Sequence, residues 1–431
     1  MLDLPADPLA PGASSPAADG ATFLSQLLYY SAAISASKVV PSTGFRYALR
    51  VNPSSGNLHP TEFHFITRGL KDWPDGLYHY RPSSHMAEQR AIGDFRSVTN
   101  SDAPIVFILT SIAWREEWKY RDRAYRYCLH DIGHAWQALA LAAKAMGCDS
   151  NAILDFPDDE IARALRLNED EWPMFIVEMW GAACKSDARE TVWYGGQANQ
   201  LSKETIPYPR IDAIHAATKL IFTSAARNSA VEPAPIGSGE IKLPPPAPST
   251  RSFGEIVRAR RSALDFVGGA QTISLPQLSA LLANTVPLLS FIQLYLYVHR
   301  VDGLEPGIYR FWPQRAELQL LKAGDQRVAA AGLSLGQDLA GNACVAFSMI
   351  SDLERAARAH GDRGYRYVHF EAGAIGHRLY LAAEALGLGA TGIGAFYDDE
   401  VHRYLHVTPE QGQVVYHFAI GHPVPDPRLQ A

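Results

Sequence analysis

The chain has 431 residues, of which 47% are hydrophobic and 19% charged, and its formal net charge at pH 7 is -6. This length and composition predict a globular protein with two domains, or one large one, around a substantial core. The mildly acidic balance, without a basic block, argues against nucleic-acid and anionic-membrane partners, and no apolar run is long enough to span a membrane.

The first 22 residues are rich in Ala, Pro, Gly and Ser and lack a signal-peptide pattern, so we expect them to be disordered. The four cysteines have no paired spacing, so the sequence predicts neither a disulfide framework nor a zinc site. A cytoplasmic location is the resulting expectation.

A dense turn, NPSSGNLHPTE, occupies residues 52–62, and a strand is predicted to follow over residues 61–66. Turn residues at this density indicate a tight bend. The same run also places hydroxyl and amide groups at the entrance to a strand, where they could surround a polar ligand.

The chain contains one pattern twice. The segment that begins at Asp122 matches the segment that begins at Asp362 with a constant offset of 240 residues, and 19 of 44 aligned positions are identical. Upstream, residues 74–82 match residues 305–313 at an offset of 231. This repetition predicts two α+β domains, each ordered helix, strand, turn, strand, long helix, strand, short helix, strand.

A Pro-rich segment, residues 226–250, is predicted to link a first domain at 23–225 to a second at 251–431. Two such copies are typical of a fused homodimer. Every site of a two-fold dimer occurs twice, so one of two sites can decay after fusion.

The two copies differ in their polar elements. PSSGNLHP of the first copy aligns with the apolar NTVPLLSF (284–291) of the second, whereas the RARRS run at 258–262 has no counterpart in the first copy. CDSNAILDF (148–156) aligns with LGATGIGAF (388–396). Each copy therefore holds elements that the other lacks.

Three of these elements carry a family resemblance: Arg-Arg-Ser near the start of a domain, the Pro-Ser-Ser-Gly turn, and Gly-Ile-Gly-Ala-Phe after a long Ala/Leu helix. Together they resemble the nitroreductase superfamily of FMN enzymes. YRYCLHDIGHAWQALALAA, GLYHYRP, Lys119-Tyr120 and residues 195–211 resemble its SagB-type dehydrogenase branch, which includes azoline oxidases of thiazole- and oxazole-containing peptides. The resemblance covers nearly the whole chain after residue 24 and implies two tandem nitroreductase-like domains, each a central sheet flanked by helices, forming a pseudo-dimer.

In that family FMN lies at the dimer interface, so the resemblance implies one composite FMN site per chain. Arg260 and Ser262 would hold the phosphate, and the turn that begins at Gly392 would bring a backbone N–H to the flavin N5 edge. Leu264 stands where the family has a further arginine, with Arg258 or Arg428 as the candidate replacement. The full implied cofactor-binding set is Pro53, Ser54, Ser55, Gly56, Asn57, His59, Arg258, Arg260, Arg261, Ser262, Gly392, Ile393, Gly394 and Ala395.

Lys119 and Tyr120 are the predicted catalytic residues, and they occur once, because Ala359 and His360 stand at the aligned positions. The resemblance implies that they form the acid/base element beside the flavin, removing a proton while hydride leaves the substrate. The alternative is that Lys119 is an ordinary exposed helix residue.

Three functions remain open at this point. The first is an FMN-dependent dehydrogenase that oxidises an azoline-like heterocycle, or a related small or peptidic substrate, and passes electrons to oxygen. The second is a nitro- or quinone-type reductase fed by NAD(P)H through the same FMN site. The third is a non-catalytic scaffold of a biosynthetic complex, which the retention of complementary FMN elements disfavours.

Two further patterns are interpreted structurally. The run GLGATG at 387–392 resembles a dinucleotide fingerprint, but it follows a helix instead of a strand, so Gly387 is predicted to end that helix. The acidic runs at 158–160 and 398–400 occur in both copies and are predicted to begin short helices instead of binding a metal.

Overall fold

The structure is a computed structural model that describes residues 2–3, 19–181, 190–195, 198, 202–221, 234–285 and 289–430. The chain divides into two compact units, which we call the first half (residues 1–225, with 430–431) and the second half (residues 226–429). Most of the N-terminal segment that was expected to be disordered lies outside the described residues.

The first half combines a large antiparallel sheet with helices. Its helices are α1 (Gly20–Tyr29), α2 (Arg96–Thr99), α3 (Trp114–Tyr120), α4 (Ala124–Ala145), α5 (Asp158–Ala164) and α6 (Pro209–Ala217). Its strands are β1 (Leu2–Asp3), β2 (Ile34–Val39), β3 (Arg46–Arg50), β4 (Thr61–Thr67), β5 (Gly76–Arg81), β6 (Met86–Ile92), β7 (Ile105–Ile112), β8 (Asp149–Ile153), β9 (Glu171–Trp180) and β10 (Val192–Trp193).

The second half repeats this composition. Its helices are α7 (Phe253–Ala259), α8 (Leu275–Ala283), α9 (Arg327–Leu333), α10 (Asp338–Asn342), α11 (Leu353–His360), α12 (Gly364–Ala385) and α13 (Asp398–Leu405). Its strands are β11 (Ile241–Lys242), β12 (Ile273–Ser274), β13 (Ile292–Val298), β14 (Val301–Asp302), β15 (Gly307–Trp312), β16 (Glu317–Ala323), β17 (Val345–Ser351), β18 (Gly389–Ile393) and β19 (Gln413–Gly421), and β20 (Leu429–Gln430) closes the chain.

The two main sheets have the same strand order. In the first half it is β6-β5-β4-β7-β9-β8, and in the second half it is β16-β15-β13-β17-β19-β18. Helices α4 and α12 begin and end 240 residues apart, as do strands β8 and β18, which confirms the register that the repeat predicted. The predicted α+β fold of two tandem copies is therefore confirmed.

The core of each half lies against its sheet. Every residue of β4 is buried, and α4 is buried along most of its length, including the polar side chains of His130, Asp131 and Gln137. A second apolar cluster, which includes Ile66, Ile108 and Ile176, packs under α2 and α5. This burial on both sides makes β4, β7 and α4 a rigid support for the residues at their ends.

The structure adds elements that the repeat did not predict. The hairpin of β2 and β3 precedes the dense turn, and helix α7 places Arg258 in its last turn. A capping box between Ser252 and Glu255 begins α7. Strand β11 lies within the predicted linker and pairs with β16.

Candidate functional site

The PSSGN turn enters β4 through a short 3-10 turn at Ser55–Asn57. Gly56 has φ +57°, and Asn57 and His59 also have positive φ values, so the backbone here occupies the left-handed region that glycine and asparagine tolerate best. The amide of Asn57 donates to the carbonyl oxygen of Ala48 at 2.9 Å, and His59 N donates to Ser54 Oγ at 2.8 Å. The turn is thus held by its own side chains.

Asp131 on the long helix α4 anchors this turn from below. The Ser54 hydroxyl donates to Asp131 Oδ2 at 2.5 Å, and the Ser55 backbone N–H and hydroxyl donate to Oδ1 at 3.0 and 3.1 Å. Asp131 is buried, and burial raises its pKa to about 7, although the three donors oppose that shift. One carboxylate therefore fixes the two serines of the turn.

Lys119 and Tyr120, at the end of α3, reach the same turn. A Cβ placed on Gly56 would lie 2.8 Å from Lys119 Nζ and would collide with the Tyr120 hydroxyl. Lys119 Nζ lies 5.1 Å from the centre of the Tyr120 ring, which packs edge-on against Tyr127. The structure thus brings the predicted catalytic pair and the predicted cofactor turn together, and only glycine fits between them.

Glu116 lies one helical turn before Lys119 and is fully buried. Neither carboxyl oxygen has a hydrogen-bond partner among the described residues. Burial raises the pKa of Glu116 to about 10, and the nearby charge of Asp131 adds to the rise, while Lys119 opposes it. Because Asp131 receives the hydrogen bonds and Glu116 receives none, Glu116 is the member of this carboxyl pair that keeps the proton.

Tyr120 titrates above its ordinary range. Burial raises its pKa, and the carboxyls of Glu116 and Asp131 raise it further. A phenol in this environment stays protonated at neutral pH, so Tyr120 can donate a hydrogen bond or a proton but is a poor base.

A second cluster forms within the second half around Tyr380 of α12. The Tyr380 hydroxyl lies 2.9 Å from Ser262 Oγ and accepts the backbone N–H of Gly392 at 2.8 Å. The guanidinium of the buried Arg260 lies 5.0 Å above the Tyr380 ring. At Gly392 a side chain would collide with the Tyr416 hydroxyl, so glycine is required there for packing.

The other predicted cofactor residues of the second half lie at the end of α7 and at or after the end of β18. Arg261 donates to the carbonyl oxygens of Arg258 and Arg260 at 2.9 and 2.6 Å, which ties its guanidinium to the end of α7. Arg428, a candidate replacement for the missing arginine at Leu264, is held by Asp426 through Nε and Nη2 at 2.8 and 2.7 Å. Ile393 ends β18, Gly394 and Ala395 follow it, and Pro53 of the first half is buried ahead of its turn.

Asp131, Glu116 and Tyr380 are the site residues that sequence reasoning missed. Asp131 stands 77 residues from Ser54, so its contact depends on the tertiary fold. The sequence did contain a signal for Tyr380, because a polar residue stands there in one copy only, and the aligned residue of the first copy is Ala140. Glu116 had one too, since its counterpart is Ala356.

Gly387 and the two acidic runs lie at helix ends, as the sequence predicted. Gly387 has φ +71° just past the end of α12, and the acidic runs form the first turns of α5 and α13. Within the described part of the chain, no group of three or more His, Cys, Asp or Glu side chains is arranged to hold a metal. Over the same residues, no helix is long and apolar enough to cross a membrane.

Comparison with known proteins gives consistent matches. The model of the nitroreductase family matches residues 32–181 and again residues 259–422. A nitroreductase-type crystal structure from Anabaena variabilis superposes with a TM-score of 0.79 at 26% identity, over 94% of this chain and 88% of that one.

Two curated relatives match over shorter segments. MJ1384 of Methanocaldococcus jannaschii, assigned as a nitroreductase, is 34% identical over 27% of this chain and 59% of its own length. The microcin B17-processing protein McbC of Escherichia coli is 26% identical over 31% of this chain and 54% of its own length. The matched regions thus span little more than half of each relative.

Proposed function

The chain belongs to the nitroreductase family, and from that premise we propose that it is an FMN-dependent oxidoreductase of the SagB type. Its substrate in this proposal is an azoline-like heterocycle, free or within a peptide. The observation that carries the proposal is the convergence of Lys119 and Tyr120 on Gly56 in the PSSGN turn.

The residues present fit a flavin mononucleotide. Arg260 and Ser262 offer a cation and a hydroxyl to a phosphate. Gly392 leaves space beside Tyr416, and Gly56 leaves space beside Lys119, that any side chain would fill. The elements are divided between the two halves of the sequence without duplication, which supports one FMN per chain. Bound FMN would supply the two-electron redox centre, with hydride acceptance at N5.

The chain's own residues would manage the proton. Lys119 would take the proton that leaves the substrate carbon, while Tyr120, held as a neutral phenol, would orient the substrate by donating a hydrogen bond. Glu116 would stay uncharged behind them, so it would form no ion pair with Lys119. The exposed position of Lys119 would let it release the proton to solvent.

The substrate class rests on two observations of different kinds. The Lys119-Tyr120 pair resembles the acid/base element of azoline oxidases, and a relative, McbC, processes microcin B17. The match to MJ1384 supports the second candidate, an NAD(P)H-fed nitro- or quinone-type reductase that uses the same cofactor. Because one fold serves both reactions, only the electron donor separates them.

Anaerobic spectroscopy of the purified chain would test this function. We expect a flavin spectrum that is bleached by a synthetic thiazoline-containing peptide and not by NADPH or NADH. Bleaching by a nicotinamide alone would favour the reductase, and a colourless protein that takes up no added FMN would leave only the scaffold function.

Lys119→Ala tests the catalytic assignment. The variant should keep its flavin absorbance, but the rate at which the peptide bleaches the flavin should fall about a hundredfold or more. A positioned acid/base group contributes to the rate on that order. Lys144→Ala, which removes a lysine from the last turn of α4, is the matched control and should behave as wild type. Wild-type bleaching in Lys119→Ala would remove Lys119 from the mechanism.

A further inference from the structure

A small cleft with an internal volume of about 30 Å³ opens within the second half, beside strands β13 and β15. The lining combines two arginines with polar and aromatic side chains: Arg310, Arg355, Gln293, Ser290, Trp312 and Phe311. None of the residues placed so far in the proposed function lines it.

The equivalent place in the first half is filled by an internal carboxylate. Glu62 on β4 bridges two basic side chains, with Oε1 2.5 Å from Arg115 Nη1 and Oε2 2.8 Å from His79 Nε2. Burial disfavours ionised Glu62, but the hydrogen bond from His79 and the charge of Arg115 outweigh it and hold the pKa of Glu62 well below its ordinary value. In the first half, the carboxylate of Glu62 therefore supplies the negative charge at this place.

The second half keeps the basic side chains and loses the acid. By the shared strand register, Gln293 takes the position of Glu62, Arg310 that of His79, and Arg355 that of Arg115. Exchanging glutamate for glutamine removes a negative charge, and exchanging histidine for arginine adds a permanent positive one.

Arg310 is left without an acidic partner among the described residues. Its Nη2 donates to the neutral Gln293 Oε1 at 2.5 Å, its guanidinium stacks 4.0 Å above Trp312, and its Nε is buried without an acceptor. Arg355, in contrast, is paired with Asp352 at 3.0 Å. A half-buried arginine in this setting has unused donors and an uncompensated charge, both of which a carboxylate would satisfy.

We propose that this cleft binds the carboxylate of an external ligand, which lies beside Gln293 and supplies the negative charge that Glu62 supplies in the first half. The carboxylate pairs with Arg310 at the position that Gln293 leaves neutral. Trp312, Phe311 and Pro313 form the wall beside it, so the ligand carries an apolar or aromatic body next to its acid group. Such a group occurs in a free aromatic acid and at the C-terminus of a peptide.

Isothermal titration calorimetry on the full chain would test the site. Benzoate probes the free acid, with benzamide as its uncharged control. An N-acetylated tripeptide that ends in phenylalanine probes the peptide, with its C-terminal amide as the control. We expect an acid to bind and its amide to bind at least tenfold more weakly, and the tighter acid identifies the ligand source.

Three variants separate a built site from general attraction to positive charge. Arg310→Gln should weaken acid binding at least tenfold, and Gln293→Glu, which supplies the internal carboxylate of the first half, should abolish it while the circular dichroism spectrum is retained. Arg315→Gln removes an exposed arginine from the following turn and should leave binding unchanged. No binding by either acid, or equal weakening by Arg315→Gln and Arg310→Gln, would overturn the proposal.

Discussion

The two halves hold the loop ahead of their first central strand in the same way and differ in what surrounds it. Asp131 on α4 receives donors from Ser54 and Ser55, and Glu371, at the equivalent position of α12, receives the backbone N–H groups of Leu289, Ser290 and Phe291 at 2.7, 2.8 and 2.8 Å. A carboxylate at this point of the long helix is therefore part of the shared scaffold.

The two halves differ in the helix that precedes the long helix. Helix α3 carries Glu116, Lys119 and Tyr120, whereas α11 carries Ala356, Ala359 and His360 at the same positions. His360 packs edge-on against Phe291 and Tyr367, an apolar arrangement. The comparison separates two kinds of polar residue: a loop anchor that both copies keep, and the proposed acid/base pair, which only one copy keeps.

The largest stability effect expected from this difference concerns Glu116. Its pKa is raised from 4.5 to about 10, so between these values the folded protein keeps a proton that the unfolded chain releases. The free energy of unfolding therefore falls as pH rises through this window. Glu116→Gln should raise the free energy of unfolding by at most about 3 kcal/mol at pH 7. Chemical denaturation of the variant and wild type at pH 5, 7 and 9 measures it.

The second half supplies the control for that experiment. Ala356 shows that the fold accepts alanine at this position, so Glu116→Ala should also flatten the pH dependence, with a loss at all pH values for the cavity it leaves. A variant difference that is the same at pH 5 and pH 9 would show that Glu116 is not the group that holds the proton.

Gly56→Ala should have an intermediate effect. The new Cβ would meet Lys119 Nζ and the Tyr120 hydroxyl, so both must move away from the turn. We expect turnover to fall at least tenfold, equivalent to about 1.4 kcal/mol.

Gly44→Ala is the matched control for Gly56→Ala. Gly44 has a similar φ of +68°, but a Cβ added there would meet no atom within 4 Å, so the substitution imposes comparable backbone strain without the collision. If both variants lost the same activity, backbone strain and not the contact with Lys119 and Tyr120 would be responsible.

The smallest effect concerns Arg121, which follows Tyr120. Arg121 has φ +52° and ψ -140°, a conformation that strains residues with a side chain, and the equivalent residue of the second half is Gly361 with φ +61° and ψ -151°. Arg121→Gly should raise the free energy of unfolding by about 1 kcal/mol. Gly361→Arg should lower it by a similar amount, and a stabilising Gly361→Arg would contradict this interpretation.

The sequence predicted the parts of this molecule that are written twice. The constant offset located α4 and α12 and the strands around them, because repeated apolar patterns preserve register. It also singled out Lys119, Tyr120 and the PSSGN turn, because each occurs in only one copy.

The remaining features depend on contacts that sequence spacing does not encode. Glu116 and Glu117 are adjacent charged residues that suggest a solvated helix face, yet both are buried, and Glu116 is fully so. The hold of Asp131 on Ser54 and the cluster around Tyr380 follow from how the long helices pack, which a single sequence without its structure does not reveal.

The proposed function implies one FMN per chain, bound through residues that occur in one half only. The FMN content of the purified wild type, Arg260→Glu and Lys119→Ala, from flavin absorbance against protein concentration, tests it most directly. We expect one FMN per chain in the wild type and Lys119→Ala, and none in Arg260→Glu. Two FMN per chain, or an undiminished content in Arg260→Glu, would contradict it.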